Sequence, residues 1–196
     1  MKFVLATANK GKISEMREIL ATLSIEVVSQ AEVGLALEVA ETGTTFMENA
    51  LLKAQAVCAA SGLPAIADDS GLMVEVLGGE PGVYSSSFGG EALNDSERYA
   101  YLLKKMENME QRDAKFVCTI VCVFPDGEII SAQGECLGEI LRTPRGSGGF
   151  GYDPVFLVQG TDKSMAELSS EEKNAVSHRG MAIRAFVSLL EKRGNL

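Results

Sequence analysis

The sequence has few of the residues that build a structural metal site. It contains one histidine, His178, and four cysteines, Cys58, Cys118, Cys122 and Cys136, none of which forms a Cys-x-x-Cys pair. A structural zinc site needs closely spaced cysteine and histidine ligands, so the sequence argues against one. Cys118 and Cys122 lie in an apolar stretch and are expected to be small core residues. Unpaired thiols are typical of the reducing cytosol, so we expect a cytoplasmic protein.

The sequence also lacks an excess of basic residues and a long apolar run. Its 196 residues include 18 Lys and Arg against 27 Asp and Glu, a net charge of -9. Proteins that bind nucleic acid polymers or anionic membranes need a basic surface, so we expect neither partner. No apolar run approaches the roughly 20 residues of a membrane helix, and the apolar N-terminal stretch is too short for a signal peptide. The charge balance still permits a small anionic ligand held by a few local cations.

Apolar periodicity predicts alternating strands and helices, and therefore an α/β fold with a mixed sheet. The predicted strands are 3–6, 25–28, 116–124, 128–141 and 155–158, and the predicted helices are about 13–23, 45–61, 95–106 and from about 170, the last with a potential break. Thr45 and Glu48 fit a capping box. Residues 64–76 are expected to form two strands interrupted by an acidic bend. We expect one domain, 1–196, whose long 116–141 hairpin indicates a second lobe.

A candidate phosphate site lies between the first strand and the first helix, in the sequence Thr7-Ala8-Asn9-Lys10-Gly11-Lys12. Backbone N–H groups at a helix N-terminus, together with two lysines and a threonine, suit a phosphate. The segment is not a Walker loop, which has a longer glycine-containing loop and a lysine followed by Ser or Thr. The same residues also fit an ordinary polar turn.

A second candidate site is the pair of carboxylates Asp68 and Asp69, which precede Ser70 between two apolar stretches. Burying adjacent carboxylates is costly unless something neutralises them. Mg²⁺ does so and prefers oxygen ligands, so one carboxylate could bind the metal while one activates water. Glu41 is a candidate second ligand. The alternative is a simple turn with side-chain hydrogen bonds.

Two further segments could bind a nucleobase. The glycines of residues 146–151 would allow close approach to a ligand, and Phe150 could stack on a base. On local evidence, a flexible loop anchored by Phe150 is the favoured alternative. Lys173, His178 and Arg179 could donate hydrogen bonds to a nucleobase carbonyl, or could form a solvated helix face.

Taken together, these segments resemble the inosine triphosphate pyrophosphatase family. The matching stretches, in order, are Leu5-Ala6-Thr7-Ala8-Asn9-Lys10-Gly11-Lys12, Glu41-Thr42-Gly43-Thr44-Thr45-Phe46-Met47-Glu48-Asn49-Ala50, Ala67-Asp68-Asp69-Ser70-Gly71-Leu72, Gly149-Phe150-Gly151-Tyr152-Asp153-Pro154 and Ser177-His178-Arg179-Gly180. Five motifs in the same order, spread over nearly the whole chain, are far more specific than any one of them.

The resemblance implies a long, bent mixed sheet with two α/β lobes around a central substrate cleft, usually in a homodimer. It implies a house-cleaning hydrolase that cleaves dITP, ITP and XTP between the α and β phosphates. The products are the monophosphate and pyrophosphate, so these nucleotides are removed before they enter DNA or RNA.

The resemblance also implies roles for individual residues. Asp69 would activate the attacking water, and Glu41 and Asp69 would hold Mg²⁺ with support from Asp68. The phosphates would be bound by Thr7, Ala8, Asn9, Lys10, Gly11, Lys12, Lys53 and Ser70. The base would be enclosed by Phe150, Gly151, Tyr152 and Asp153, and its 6-keto edge recognised by Lys173, His178 and Arg179. A site built to hydrogen-bond a keto oxygen rejects an analogue that lacks it, because its own polar groups are left unpaired.

One departure from the family pattern lies after Tyr84. Many bacterial relatives have Ala-Arg and then an aromatic residue where this sequence has Ser86-Ser87-Phe88, which puts any ligand contact or loop anchoring by that arginine in doubt.

Two other functions stay open: a nucleotide-binding protein without catalysis, and a hydrolase of a different nucleotide such as a modified pyrimidine triphosphate.

Overall fold

A computed structural model describes residues 2–194, which form six strands and five α-helices. In chain order the elements are β1 (Lys2–Leu5), α1 (Lys10–Thr22), β2 (Glu26–Ser29), α2 (Phe46–Ser61), β3 (Ala65–Val74), α3 (Asp95–Lys105), β4 (Asp113–Val123), β5 (Ile129–Ile140), β6 (Phe156–Val158), α4 (Ser170–Val176) and α5 (His178–Arg193). The predicted 1–196 domain also includes Met1, Asn195 and Leu196, which lie outside the described residues. The α/β class predicted from the sequence is confirmed.

The strands form a mixed sheet in the order β2-β1-β3-β4-β5-β6. β1 pairs in parallel with both β2 and β3, whereas β5 pairs antiparallel with β6. Parallel neighbours need a crossover connection, and here α1 connects β1 to β2. The strands predicted at 3–6 and 25–28, and the helix predicted between them, are therefore confirmed.

The prediction of two strands and an acidic bend at 64–76 was wrong. β3 runs without interruption from Ala65 to Val74 and carries Asp68 and Asp69 in its middle. These carboxylates are 0 % and 5 % exposed. Successive side chains on a strand point to opposite faces of the sheet, so the two carboxylates have different surroundings. A turn would have left both in solvent.

The chain divides into two compact units, each built from separated segments. The first contains the chain up to Asp69, Cys118–Gly134, and the chain from His178 onward; the second contains Ser70–Val117 and Glu135–Ser177. In the first unit, Phe3 and Leu5 of β1 pack in one apolar cluster with residues of α1 and α5, while Val4 and Ala6 pack in another with residues of α2. Strand alternation therefore gives this part of the sheet a helical layer on each face.

Two predicted helix features are confirmed. Thr45 and Glu48 form the capping box at the start of α2. The last helical region breaks at Ser177, which has extended backbone (φ -69°, ψ 152°) and separates α4 from α5. The break makes His178 and Arg179 the first residues of α5.

The apolar core of the second unit holds Tyr152, Phe116 and Phe156, the last two with ring centroids 4.5 Å apart. In the loop after Tyr84, where the sequence departs from the family pattern, Phe88 packs edge-on against Tyr101 of α3 with ring centroids 5.3 Å apart.

The cysteines have the character expected from the sequence. All four lie within residues 2–194 as buried free thiols, and burial raises the pKa of Cys118 to about 12. Cys118 and Cys122 belong to the apolar cluster beneath α1 and α5, which confirms them as core residues.

Among residues 2–194, no helix combines the length and apolar character needed to cross a bilayer.

Candidate active site

Asp68 lies on the α1 and α5 face of the first unit, in a buried network of ion pairs. Its Oδ2 is 3.0 Å from Nζ of Lys12 and 3.1 Å from Nη2 of Arg179, and Nε of Arg179 also donates to it at 3.3 Å. Arg179 is only 1 % exposed, and its Nη1 donates to Glu15. Burial alone would raise the pKa of Asp68, but the charges of Lys12 and Arg179 outweigh burial and hold it well below its usual range. Asp68 is therefore a fixed anion.

Asp69 lies on the opposite, α2 face. Nδ2 of Asn49 donates to its Oδ2 at 3.2 Å, and Nζ of Lys53 is 3.5 Å from its Oδ1. Lys53 also donates to Oε1 of Glu41 at 2.7 Å. Burial raises the pKa of Asp69 and outweighs the opposing charge of Lys53. Burial would lower the pKa of Lys53, but the charges of Asp69, Asp68 and Glu41 raise it, so the ammonium group is retained.

The adjacent carboxylates thus have pKa values shifted in opposite directions. Such pairs are characteristic of sites where one group is a fixed charge and the other moves a proton. Asp69, with its raised pKa, is the better proton acceptor of the two. The geometry of the first unit therefore distinguishes two residues that the sequence alone presents as equivalent.

The residues around Lys53 fit a divalent cation held by few protein ligands. Within residues 2–194, no group of three or more His, Cys, Asp or Glu side chains is arranged to hold a metal. Glu41 and Asp69 nevertheless place one carboxylate oxygen each within 3.5 Å of a single cationic atom, Nζ of Lys53. Mg²⁺ is usually bound by one or two protein carboxylates, with water and substrate phosphates as the other ligands. Two carboxylates that already share the cation of Lys53 match that ligand set.

The predicted phosphate segment lies at the N-terminus of α1, as expected. Asn9 is the N-cap, with its Oδ1 accepting from the Lys12 backbone N–H at 3.1 Å, while Oγ1 of Thr7 accepts from the Asn9 N–H at 3.2 Å. Ala8, Asn9 and Lys10 are exposed, and the first turn of α1 contains no acidic residue. The positive end of the helix is therefore open to an anion.

In the second unit, the predicted base-binding segment is a loop held by hydrogen bonds. Oδ2 of Asp153 accepts from the Phe150 backbone N–H at 2.9 Å and from Nζ of Lys173 at 2.8 Å, and the same ammonium lies 4.8 Å from the Phe150 ring centroid. A Cβ at Gly149, which has φ +71°, would come within 2.0 Å of the Asp153 carboxylate. Glycine is required there because the Asp153 carboxylate occupies the space of a side chain.

Tyr152 supports this loop from within the core of the second unit. Its hydroxyl donates to the carbonyl of Ser85 at 2.8 Å, and Oγ of Ser85 accepts from the Leu72 backbone N–H at 2.9 Å. Leu72 lies in the part of β3 that follows Ser70. The loop and the strand after Ser70 are thereby tied to one residue, Ser85.

The structure separates Lys173, His178 and Arg179, which were predicted from the sequence as one set of donors. Lys173 joins Asp153 and Phe150 in the second unit, while Arg179 joins Asp68 and His178 is buried at the start of α5 in the first. Sequence reasoning missed two polar partners, Asn49 and Glu15. Both could have been found from helical spacing, because Asn49 precedes Lys53 by four residues and Glu15 follows Lys12 by three.

Comparison with known proteins identifies the family. Residues 3–189 match the model of the Ham1 family. The chain belongs to the Ham1 family. It is 51% identical to the dITP/XTP pyrophosphatase of Thermus thermophilus over 189 residues, covering 95% of this chain and 90% of the relative. It is 50% identical to the dITP/XTP pyrophosphatase of Aquifex aeolicus over 200 residues, covering 97% of each.

A solved structure agrees. The Ham1 protein of Staphylococcus aureus is 42% identical and superposes with a TM-score of 0.88, covering 98% of this chain and all of that one. This agreement confirms the mixed α/β fold of the Ham1 family and the family resemblance predicted from the five motifs.

Proposed function

We propose that this Ham1 protein hydrolyses dITP, ITP and XTP to the nucleoside monophosphate and pyrophosphate. The relatives named above are dITP/XTP pyrophosphatases and match nearly the whole chain. The single observation that carries the proposal is the arrangement of Asp69 and Glu41 around Lys53. It combines a buried proton acceptor with two oxygen ligands and a cation, which hydrolysis of a phosphoanhydride needs.

In this proposal Asp69 removes a proton from a water molecule, whose oxygen attacks the α phosphorus. The bond from that phosphorus to the oxygen bridging to the β phosphate breaks, and pyrophosphate leaves with the bond electrons. Asn49 orients the Asp69 carboxylate through its 3.2 Å hydrogen bond. Lys53 keeps its charge next to both carboxylates and would bind phosphate oxygens.

Mg²⁺ would be held by Glu41 and Asp69 together with oxygens of the substrate. When bound, it offsets the charge of the triphosphate and of the leaving pyrophosphate. The N-terminus of α1, with Thr7, Ala8, Asn9, Lys10, Gly11 and Lys12, would bind phosphate oxygens, and Ser70 would add a hydroxyl.

Base recognition is proposed to use an enclosing loop and a set of cationic donors. Phe150, Gly151, Tyr152 and Asp153 would enclose the base, with the Phe150 ring stacking on it. Lys173, His178 and Arg179 would supply donors to the 6-keto group. The contacts of Lys173 with Asp153 and of Arg179 with Asp68 support fixed donor positions, which favour discrimination because they do not adjust to an amino group.

A substrate panel tests the activity. Purified protein is incubated with Mg²⁺ and ITP, dITP, XTP, ATP, GTP, CTP or UTP, and pyrophosphate release is measured. We expect kcat/KM for ITP to exceed that for ATP by about a hundredfold or more, because ATP carries an amino group at position 6. Activity is expected to disappear with EDTA and to return with added Mg²⁺.

The other functions give distinct results in the same panel. Tight ITP binding without pyrophosphate release would indicate a binding protein and overturn the proposal. Preference for a modified pyrimidine triphosphate would support hydrolysis at Asp69 but overturn the proposed recognition of a purine base. Equal turnover of ATP and ITP would overturn the specificity.

Lys12 provides a test of the phosphate site. We expect Lys12→Met to lower kcat/KM for dITP by about tenfold to hundredfold, the scale of one charge-assisted contact. The matched control is Lys192→Met, which removes the same charge from an exposed position near the end of α5. Equal losses in steady-state kinetics would show that the phosphate site has been misplaced.

We also propose that the protein acts in the cytoplasm as a single-domain homodimer. The buried free thiols support a reducing compartment. The homodimer is proposed from the family resemblance carried by the five motifs.

A further inference from the structure

The backbone N–H of Gly151 is bound from outside its own loop. It donates to Oδ2 of Asp95 at 2.7 Å, although the two residues are 56 positions apart in the sequence. Gly151 has φ +61°, a conformation that favours glycine, and a Cβ there would meet nothing within 4 Å. Glycine therefore allows a backbone conformation at this position that points its N–H towards Asp95.

Asp95 has other contacts besides the hydrogen bond from Gly151. It is the first residue of α3, directly after the N-cap Asn94, whose capping box with Glu97 fixes the start of the helix. Nη1 of Arg98 lies 3.4 Å from Oδ1 of Asp95, and Arg98 is only 8 % exposed. The Asp95 side chain is 55 % exposed, so solvent screens its contact with Arg98, and the capped start of α3 fixes the backbone from which its carboxylate reaches Gly151.

This contact differs from the other contacts that fix the loop because it holds the backbone, whereas Tyr152 is fixed through its hydroxyl to Ser85 and Asp153 through its carboxylate to Lys173. The hydrogen bonds between Phe150 and Asp153 lie within the loop, so they shape it without fixing it to the rest of the second unit. Asp95 binds the residue that directly follows Phe150. Release of this bond would therefore change the orientation of the Phe150 ring more than the loop's internal shape.

We propose that Asp95 is a positioning residue that sets base recognition by holding the Phe150–Asp153 loop through the Gly151 amide. The role in recognition rests on the proposed function, whereas the anchoring of the loop does not. Asp95 lies in the second unit, away in sequence from the residues proposed to activate water, so its loss should weaken substrate binding and leave the chemical step intact.

Two measurements on Asp95→Ala test the proposal. We expect the KM for dITP to rise by about threefold to tenfold, the range of one hydrogen bond, with kcat within about twofold of wild type. We also expect faster hydrogen–deuterium exchange in a peptide that covers residues 149–153, measured without nucleotide. Asp95→Asn retains an acceptor oxygen and is expected to restore both values towards wild type.

Two further variants separate this role from helix stability. Glu97→Gln removes the same charge from the same turn of α3 while keeping a capping oxygen, and should behave as wild type. Asp95→Ser keeps a short oxygen at the start of the helix but does not reach Gly151, so it should behave like Asp95→Ala. It replaces the alanine variant if that protein fails to fold.

The outcomes are distinguishable. Unchanged exchange and unchanged KM in both loss variants would overturn the proposal, and so would a fall in kcat with KM unchanged. An Asp95→Asn protein as impaired as Asp95→Ala would show that charge at the helix end, and not the hydrogen bond, is responsible. If the wild type fails to hydrolyse dITP but Asp95→Ala still accelerates exchange, the proposed function is overturned while the anchoring role stands.

Discussion

Asp69→Asn is expected to lower kcat for dITP hydrolysis by about 10²–10⁴-fold, the usual contribution of a general base. The amide has nearly the shape of the carboxylate but cannot accept a proton from water at neutral pH. The fold should be retained, because the asparagine oxygen can still accept the hydrogen bond that Asn49 donates to Asp69 at 3.2 Å. The measurement is single-turnover pyrophosphate release at saturating Mg²⁺, with circular dichroism as the check on folding.

The control for this prediction is Asp126→Asn, the same substitution at an exposed position of the first unit, where the carboxylate pairs with Arg193. We expect wild-type turnover from it. An Asp69→Asn protein that is folded and retains full activity would remove Asp69 from the mechanism. A large rise in the Mg²⁺ requirement with kcat restored at high Mg²⁺ would assign Asp69 to metal binding alone.

The helices and most strands of this protein could be predicted from local patterns. The capping box of Thr45 and Glu48 and the start of α1 at the candidate phosphate segment depend on residues within a few positions of each other. Such features follow from backbone hydrogen bonding at helix ends, which a sequence displays directly. The family was predicted from the order of the five motifs along the chain, which no single local pattern contains.

The continuous strand β3 could not be predicted in the same way. Asp, Asp, Ser and Gly are residues that favour turns when only their neighbours in sequence are considered. Their burial in a strand is made tolerable by Lys12, Arg179, Asn49 and Lys53, which come from three different helices. Compensation of a buried charge by distant residues is a tertiary effect, and local propensity gives no sign of it.

The different environments of Asp68 and Asp69 follow from the same fact. Once the segment is known to be a strand, alternation places one carboxylate towards α1 and α5 and the other towards α2. The sequence predicted both as site residues and, through the family, ranked Asp69 as the base. Alternation supplies the physical reason for that ranking, because the two faces of the sheet carry different partners.

The second prediction with a large expected effect concerns Asp68. Asp68→Asn should destabilise the protein by about 3–5 kcal/mol, because it leaves the buried cation of Arg179 and the half-buried cation of Lys12 without their shared anion. For a protein of this size, about 2–4 °C of Tm is lost per kcal/mol, so we expect Tm to fall by about 6–20 °C. The neighbouring Asp69→Asn should change Tm far less, because Asp69 makes one hydrogen bond and one longer ion pair.

The matched comparison is again Asp126→Asn, which also breaks an Asp–Arg pair. The Asp126 side chain is 63 % exposed and that of Asp68 is 0 %, so solvent replaces the lost partner in one case and cannot in the other. We expect a change of about 0–1 kcal/mol for Asp126→Asn. Equal falls in Tm for the two variants in thermal unfolding would contradict a buried ion network at Asp68. They would also remove the distinction between the two faces of β3 on which the assignment of Asp69 as the base depends.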